Sequence, residues 1–388
     1  MKKILIFSLA YYPHVGGAEI AIKEITDRIK DIEFHMVTMR FLRSELSQEK
    51  IGNVIVHRVG GGRTYISKIL FVPRATLRGL ALHRAQHFHG LWAMMSYMLF
   101  PIMLMRIGGV RIPYVLSLQE GDPFRRVFER LIIRPVRPLL RAGFRKAQVI
   151  QTISTFLAAW PEQLGYRGPV VVIPNGVDVT HFSRETSPSN IADIATTLGK
   201  KEGDVYLITT SRLVGKNALD DVIRALALLP SHVHFLILGS GSEEGALRLL
   251  AKKLGVANRT KFLGHIKHFR IPKYLSISDI FVRPSRSEGM GNSLIEAMAA
   301  RIPVVATHEG GISDFLFDSK RNPGQDATGW VVDTDSPQQI ADAVRTILDN
   351  PEEAKRVTDN AYTLVSKNYS WDLVARDMRE KVFARVLK

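Results

Sequence analysis

Short apolar runs alternate with amphipathic stretches along most of this chain, and the alternation limits the possible folds more than any other feature. Strands that alternate with helices favour parallel sheets covered by crossover helices. Two such series predict two doubly wound α/β domains, which bind ligands near the carboxyl ends of their strands. The predicted strands are Ile4–Ser8, Phe34–Thr38, Val54–Val59, Tyr114–Leu118, Val149–Ile153 and Val170–Ile173 in the first half, and Val205–Thr210, Val233–Leu238, Lys261–Leu263, Ile280–Arg283 and Val304–Ala306 in the second. The predicted helices include Ala18–Lys30, Asp220–Leu229, Ala246–Leu254 and Ser293–Ala300.

The length and composition also predict two domains. A chain of 388 residues is longer than a single core usually grows, and an apolar content of 46% is ordinary for a globular protein. We expect domains at 1–180 and 204–369, a polar linker at 181–203, and a closing amphipathic helix at 370–388. The longest uncharged stretch, Gly90–Met105, is too short to span a bilayer and is predicted to be a buried helix.

Positive charge is concentrated in the first half of the chain. Residues 1–180 hold 25 Lys and Arg against 12 Asp and Glu, which is +13 of the total net charge of +16. An excess of this kind indicates an anionic partner, such as membrane lipid, nucleic acid or a phosphorylated substrate. The chain contains no cysteine, which excludes disulfides, zinc–thiolate sites and thiol nucleophiles and is consistent with a cytoplasmic location.

The segment 125–146 holds eight cations and one acid. Its arginines recur every three or four residues and would share one face of a helix, although two prolines must break or kink it; they are Arg126, Arg130, Arg134, Arg137, Arg141 and Arg145. Such a basic amphipathic segment suits an anionic membrane surface, with the protein peripheral on the inner face of the cytoplasmic membrane. The alternative, held equally open, is a solvated face that packs on its own domain. The cations alternate with aliphatic rather than aromatic side chains, so we expect no nucleic-acid partner.

The segment Glu288–Glu296 carries a carboxylate at each end and two glycines between them, Gly289 and Gly291. It connects a predicted strand to a predicted helix. The glycines allow a ligand to approach the backbone closely, and the start of the helix offers N–H groups to an anion. One site of this kind could hold a polyol, a phosphate and a ribose together. The preference of acids for the first turn of a helix explains Glu296 without a ligand, but it does not explain Glu288.

Two other loops carry groups that suit a phosphate. Arg212 and Lys216 follow the strand Val205–Thr210, and two cations at the end of a strand match the charge of a diphosphate. Gly16 and Gly17 lie at a strand-to-helix turn, where their amides could face a phosphate or simply form a tight turn. Taken alone, each feature is explained better by an ordinary loop than by a ligand site. Acids are common in loops such as Asp333-Thr334-Asp335, so we expect no metal site there.

Taken together, these motifs resemble glycosyltransferase family 4, whose members are retaining, nucleotide-sugar-dependent enzymes of the GT-B fold. The resemblance runs nearly end to end, and it is carried by Gly16–Glu19, Ile173–Asp178, Arg212 with Lys216, Gly239–Gly241, Phe262–His265, Glu288–Glu296, Gly310–Gly311 and Trp371. It implies two Rossmann-like doubly wound domains that face a cleft. The first domain would bind the acceptor, the second the nucleotide sugar, and the closing helix would cross back to the first domain.

The resemblance also implies residue roles. Glu296 would bind the ribose, Glu288 would contact the sugar hydroxyls, and Ile266 would border the base. Arg212 and Lys216 would stabilise the leaving diphosphate as its negative charge builds up. The other donor-binding positions would be Gly16, Gly17, Gly239, Gly289, Met290, Gly291, Asn292, Ser293 and Leu294. The co-substrate would be a UDP- or GDP-linked sugar, with no metal or other cofactor.

The sequence departs from the family pattern at one position. Many members have a histidine after the strand that corresponds to Tyr114–Leu118, and here the slot holds Gln119. An amide can donate a hydrogen bond to a sugar hydroxyl, but it cannot act as an acid or base near neutral pH. Glu120 or Asp122 could contribute instead, and the sequence does not choose between them.

The reaction that the resemblance implies is hexosyl transfer to a glycan or lipid-linked acceptor, in cell-surface polysaccharide or glycoconjugate synthesis. The alternative is a nucleotide-sugar epimerase of the same architecture. An epimerase would need acid and base groups around the sugar, and the paired cations with the two-glutamate loop fit a transferase better.

Overall fold

The computed structural model describes residues 1–62, 64–183 and 188–388, which form two compact units. The first unit comprises Met1–Gly176 and Trp371–Lys388, and the second comprises Val177–Ser370. The predicted linker 181–203 lies within the second unit, where residues 188–198 form a helix. Its residues 184–187 lie outside the described residues.

The first unit contains an eight-stranded sheet in the order β3-β4-β2-β1-β5-β6-β7-β8. Its strands are β1 (Lys2–Phe7), β2 (Ile32–Met39), β3 (Gln48–Ile51), β4 (Val54–Val59), β5 (Gly90–Met94), β6 (Tyr114–Leu118), β7 (Val149–Thr152) and β8 (Val170–Val172). Its helices are α1 (Gly17–Arg28), α2 (Tyr65–Gln86), α3 (Leu99–Ile107), α4 (Phe124–Phe128), α5 (Arg137–Arg145), α6 (Thr155–Ala158) and α7 (Trp160–Gln163). Every neighbouring pair is parallel except β3 with β4, so the sheet is doubly wound as predicted.

One predicted element of the first unit is wrong. The stretch Gly90–Met105, expected as a single buried helix, contains the central strand β5, a 3₁₀ turn and most of α3. All five residues of β5 are buried, because the strand lies between β1 and β6 with both faces covered. A fully buried strand is apolar on both sides and has no period of two, so its pattern does not differ from that of a buried helix.

The basic segment 125–146 also differs from the prediction of one helical face. It consists of α4, a 3₁₀ turn at Leu131–Val136, and α5, because Pro135 and Pro138 interrupt the helix. Seven of its eight cations are exposed at the surface, namely Arg125, Arg126, Arg130, Arg134, Arg141, Arg145 and Lys146. Phe128, Leu140 and Phe144 are buried and attach the segment to its own unit.

The second unit contains a six-stranded, fully parallel sheet in the order β11-β10-β9-β12-β13-β14. Its strands are β9 (Val205–Thr210), β10 (Val233–Leu238), β11 (Thr260–Gly264), β12 (Ile280–Arg283), β13 (Val304–Ala306) and β14 (Trp330–Val331). Its helices are α8 (Val179–Ser183), α9 (Pro188–Leu198), α10 (Leu219–Ala227), α11 (Glu244–Lys253), α12 (Ile271–Leu275), α13 (Asn292–Ala299), α14 (Pro337–Asp349) and α15 (Pro351–Asn368). The prediction of a second doubly wound α/β domain is confirmed by this sheet.

The closing segment packs on the first unit. It begins with α16 (Trp371–Asp377) and continues as a π-helical turn at Met378–Val382 and a 3₁₀ turn. Trp371, Met378 and Phe383 join the core between α1 and the sheet. No helix among residues 1–62, 64–183 and 188–388 combines the length and apolar character needed to cross a bilayer.

Candidate functional site

The candidate site of the second unit lies where its strand order reverses. The chain winds from β9 through β10 to β11 on one side and from β12 through β13 to β14 on the other. Ligands of doubly wound sheets bind at the carboxyl ends of the strands beside such a reversal. The loop with Arg212 and Lys216 leaves β9, and the loop with Glu288 leaves the adjacent strand β12. The fold therefore brings the two most informative motifs of the sequence to one edge of one sheet.

Main-chain hydrogen bonds join these two loops directly. The Arg286 N–H donates to the Lys216 carbonyl at 2.7 Å, and its guanidinium donates to the Gly215 carbonyl at 2.8 Å. The Asn217 side-chain amide donates to the Arg212 carbonyl at 2.6 Å and closes the cationic loop on itself. The Arg212 side chain is exposed and that of Lys216 is half-buried. The backbone that carries both cations is thus held in one conformation.

Arg286 also forms ion pairs with three carboxylates next to the loop that carries Arg212 and Lys216. Its guanidinium lies 3.0 Å from Asp220, 2.8 Å from Asp221 and 2.6 Å from Asp335. The hydrogen bonds that the Arg286 guanidinium donates to Asp220 and Asp335 raise the pKa of Arg286, so the guanidinium stays charged. Burial and the neighbouring Asp220 raise the pKa of Asp221 to about 6. Arg286 is not among the site residues predicted from the sequence, although it lies two residues before Glu288.

Glu288 is held by two donors. Its carboxylate accepts from the Arg283 guanidinium and, at 3.0 Å, from the Gly289 N–H. Arg283 ends β12 and also donates to the Ser293 hydroxyl at 2.6 Å. A carboxylate has about four lone-pair directions, so these two bonds leave acceptor capacity for a sugar hydroxyl. The predicted residue Gly289 therefore contributes its amide to Glu288 itself.

The first turn of α13 presents backbone amides at the same edge. The residue before the helix is Gly291, whose φ of 97° is left-handed and which has no side chain to cap the amides that follow. The Leu294 N–H is used internally, since it donates to the Gly291 carbonyl at 2.9 Å. The uncapped start of a helix favours an anion. Met290 and Ser293 are buried beside it.

Glu296 has a partner that the sequence did not predict. His268 Nε2 lies 2.8 Å from the Glu296 carboxylate, which can only accept, so the ring N–H donates. The ring of Phe182 lies 5.6 Å from the His268 ring. Ile266, the residue expected to border the base, is half-buried in the turn between β11 and His268. Because His268 is 28 residues from Glu296, only the packing of the two loops brings them together.

Close backbone packing explains why Gly239 is a glycine. A Cβ atom at Gly239 would lie 1.8 Å from the Ser211 carbonyl oxygen, and the residue has a φ of 148°. The Gly239 N–H donates to the Gly264 carbonyl at 2.8 Å. The loops that follow β9, β10 and β11 therefore touch through their main chains. This requirement is structural, and it adds to any contact that Gly239 makes with a donor.

The glycine loop of the first unit follows β1, beside the reversal between β1 and β5. Gly16 precedes α1, and its N–H donates to the Glu19 carboxylate at 2.7 Å. This contact is one half of a capping box, whose other half is missing because glycine has no side chain, and it gives the Gly16 amide an acceptor. Gly17 begins the helix and is exposed.

Gln119 lies at the carboxyl end of β6 and pairs with Asn175. The two side-chain amides exchange hydrogen bonds of 3.2 and 3.1 Å. Gly176 then allows Trp371 to pack, because a Cβ atom there would lie 2.7 Å from the indole. Contacts within the first unit thus account for two residues of the Ile173–Asp178 motif, Asn175 and Gly176.

Glu120, one of the two acids considered beside Gln119, is buried. It accepts from the Ser96 N–H at 2.7 Å and from the Gln119 N–H at 2.9 Å. Burial raises the pKa of Glu120, and the backbone donors oppose this shift without cancelling it. Asp122, by contrast, is half-exposed. Glu120 therefore stabilises the loop after β5 by accepting the hydrogen bond from Ser96.

The acids of Asp333-Thr334-Asp335 are engaged in ion pairs. Asp333 lies 2.7 Å from Arg321, and Asp335 pairs with Arg286. Within the part of the chain that the structure describes, no three His, Cys, Asp or Glu side chains are grouped so that they could hold a metal ion.

Comparison with known families matches both halves of the chain. The family model Glycosyltransferase Family 4 matches residues 15–181, and the model Glycosyl transferases group 1 matches residues 190–364. A GDP-mannose-dependent alpha-(1-6)-phosphatidylinositol monomannoside mannosyltransferase of Mycobacterium tuberculosis is 27% identical over 258 residues, which are 63% of this chain and 64% of that protein. An uncharacterized glycosyltransferase of Methanocaldococcus jannaschii is 22% identical over 98% of this chain and 97% of its own length.

Solved structures show the same fold. Sucrose-phosphate synthase from Thermosynechococcus elongatus superposes with a TM-score of 0.83 at 17% identity, covering 99% of this chain and 100% of that one. Anabaena HepE, crystallised with UDP and glucose, gives a TM-score of 0.80 at 20% identity with the same coverage. These likenesses confirm the predicted GT-B fold. The two family models together account for most of the chain, and it belongs to glycosyltransferase family 4, as its motifs predicted.

Proposed function

We propose that this chain is a retaining glycosyltransferase that moves a hexosyl group from a nucleoside-diphosphate sugar to a glycan or lipid-linked acceptor. The observation that carries the proposal is the edge of the second sheet beside its reversal. There Arg286 joins a loop with two cations to the segment that carries Glu288 in its loop and Glu296 in α13. Cations match a diphosphate, and carboxylates accept from the hydroxyls of a sugar and a ribose.

The named relatives support a nucleotide-sugar donor. The Mycobacterium relative is described as GDP-mannose-dependent, and the Anabaena structure holds UDP and glucose. We propose the same class of donor here, with either base. The match spans less than two thirds of the Mycobacterium protein, so its acceptor is carried over only as a class, a glycolipid or glycan.

The roles that we propose follow the geometry of the second unit. Glu296, positioned by His268, binds the ribose, and Glu288, positioned by Arg283, binds the hexose. Arg212, Lys216 and the first amides of α13 stabilise the departing diphosphate. Gly239 and Ile266 complete the donor site, and Gly16, Gly17 and Gln119 of the first unit contribute to sugar binding.

No observation favours the epimerase alternative. An epimerase needs a group that transfers a proton at the sugar. Glu288 is held as an ion pair with Arg283, and Gln119 has no proton to exchange near neutral pH. A transferase of this kind works by charge and position instead.

A panel of nucleotide sugars will test the proposal. We expect one compound to raise the melting temperature, because a ligand at about 100 times its Kd stabilises the folded state by about 2.7 kcal/mol. Glu296→Ala should weaken binding of that compound by about 10- to 100-fold, the effect of losing a hydrogen bond to a charged group. Differential scanning fluorimetry measures both. Glu244→Ala, in α11, is the control, since it also removes an ion-paired glutamate of the second unit. Equal shifts in the Glu296 variant and wild type would contradict the ribose role.

The stereochemistry provides a separate test. We expect the product to keep the anomeric configuration of the donor, and we expect the rate to be unchanged by EDTA, because fixed protein charges are proposed to stabilise the diphosphate. Proton NMR of the product gives the anomeric coupling. An inverted product, or activity that is lost with EDTA and restored by a divalent cation, would refute this mechanism.

We also propose that the acceptor is reached at an anionic membrane surface that faces the basic segment 125–146. Its seven exposed cations support this proposal. Lys and Arg near an anionic bilayer each add about 1 kcal/mol of attraction at short range.

A further inference from the structure

We propose that the exposed apolar face of α2 inserts into an anionic lipid bilayer. The inference deepens the proposed function and rests on it in one respect, since the surface would bring the protein to a lipid-linked acceptor. This helix is not among those predicted from the sequence. Its exposure is a property of the tertiary structure.

The apolar face is a single stripe along the helix. Tyr65, Ile66, Ile69, Leu70 and Leu77 are each between 44 and 67% exposed. Spacings of three, four and seven residues, as from Ile66 to Ile69, Ile66 to Leu70 and Leu70 to Leu77, place them along one broad side of the helix. The opposite side of α2 is buried in the unit through Phe71, Ala75, Gly79 and Leu82. Both sides of the helix are therefore apolar, and only one of them is covered by protein.

Such a stripe is unusual on a water-exposed surface. Single exposed apolar side chains are ordinary, but a contiguous apolar patch marks a contact with a partner or a membrane. Here five large side chains follow one another over thirteen residues of one helix. The pattern matches a helix that lies in the plane of a membrane with its apolar face buried among the lipid chains.

The charges around the stripe select an anionic partner. The helix contains no Asp or Glu, and its exposed cations are Lys68, Arg74 and Arg84. A second copy of this chain would bring like charges together across the stripe, which opposes association. In an anionic bilayer, the lipid phosphate groups would pair with the cations and the acyl chains would contact the apolar stripe.

The basic segment lies beside the start of α2. The Tyr97 hydroxyl donates to the Val127 carbonyl at 2.6 Å, and Arg130 and Tyr65 are both near enough to act on it electrostatically. Helix α3 packs against both α2 and α5. Within the basic segment, Leu131 and Ile132 are also exposed, at 74 and 53%. The α2 stripe and the basic segment thus form neighbouring parts of one surface of the first unit.

Membrane binding by the basic segment and by the α2 stripe should depend differently on salt concentration. Attraction between exposed charges is screened, with a Debye length of about 10 Å at 0.1 M and about 3 Å at 1 M ionic strength. Burial of apolar side chains is not screened. We therefore expect the basic segment to supply the salt-sensitive part of membrane binding and the α2 stripe to supply the part that persists in high salt.

The experiment uses the full chain and vesicles of phosphatidylcholine, with and without phosphatidylglycerol, in a flotation assay at low and high salt. The double variant Ile66→Ser, Ile69→Ser should lower partitioning onto the anionic vesicles by at least about tenfold at both salt concentrations. Leu249→Ser is the matched control, because Leu249 is equally exposed, at 69%, but lies on α11 of the second unit. Arg130→Gln with Arg134→Gln should weaken binding only at low salt.

Three results would overturn the inference. They are no binding of the wild type to anionic vesicles, unchanged binding of the double variant, or a wild-type dimer that the double variant converts to a monomer without vesicle binding. The melting temperature of the double variant should match that of wild type, which excludes misfolding. The shift induced by a nucleotide sugar should also be unchanged. If the chain binds vesicles through α2 but responds to no nucleotide sugar, the proposed function is refuted and the membrane contact of α2 is still supported.

Discussion

Lys216→Ala is expected to lower kcat by about 100- to 1000-fold, with a change in the donor KM of less than about tenfold. The lysine follows β9 beside the reversal of the second sheet, where we propose that the departing diphosphate gains negative charge. Under this proposal its charge would contribute more to the transition state than to the bound substrate. The bonds that Arg286 donates to the Gly215 and Lys216 carbonyls, from its guanidinium and its N–H, do not involve the lysine side chain, so the loop should keep its conformation. Initial rates at varied donor concentration separate kcat from KM.

Two variants control this measurement. Lys253→Ala removes an exposed lysine from the last turn of α11 in the same unit and should leave kcat unchanged. Lys216→Arg keeps the charge and should recover part of the rate. If Lys216→Ala turned over within about twofold of the wild-type rate, the lysine would not stabilise the leaving group.

Gly310→Ala is expected to destabilise the protein by about 3 kcal/mol or more, because it combines an unfavourable backbone conformation with a backbone overlap. Gly310 has a φ of 64° and follows β13. A Cβ atom there would lie 1.7 Å from the Glu288 carbonyl oxygen and 2.8 Å from its carbon. Neither backbone can rotate away as a flexible side chain would. The loop of Glu288 must therefore move, and donor binding should be lost together with stability.

Gly199→Ala separates the two contributions. Gly199 has a φ of 65°, almost the same as that of Gly310, but nothing lies within 4 Å of a Cβ atom built on it. This control should cost only about 1 kcal/mol, the penalty for the left-handed conformation. Thermal unfolding of both variants measures the difference. Equal melting temperatures would show that the overlap with Glu288 is relieved without cost.

Strands that begin and end with a change in polarity were predictable from the sequence. Six predicted strands coincide with the observed ones, namely Val54–Val59, Tyr114–Leu118, Val205–Thr210, Val233–Leu238, Ile280–Arg283 and Val304–Ala306. Each is an apolar run bounded by glycine, proline or polar residues, which mark its ends. The strand β3 was missed because Gln48–Ile51 is mostly polar and exposed at the edge of its sheet. The central strand β5 was missed for the opposite reason, since its neighbours in the chain are as apolar as the strand itself.

The sequence by itself determined the fold class, the family and the positions of the two charged loops, because these depend on local pattern and on the order of motifs along the chain. Only the tertiary structure decided which groups act on those loops. Arg286 joins Lys216 across 70 residues, and His268 reaches Glu296 from another loop. The exposed stripe of α2 likewise appears only when neighbouring elements cover one side of the helix and leave the other in solvent. Contacts and exposure of this kind arise from packing between distant segments, and no local pattern of residues records them.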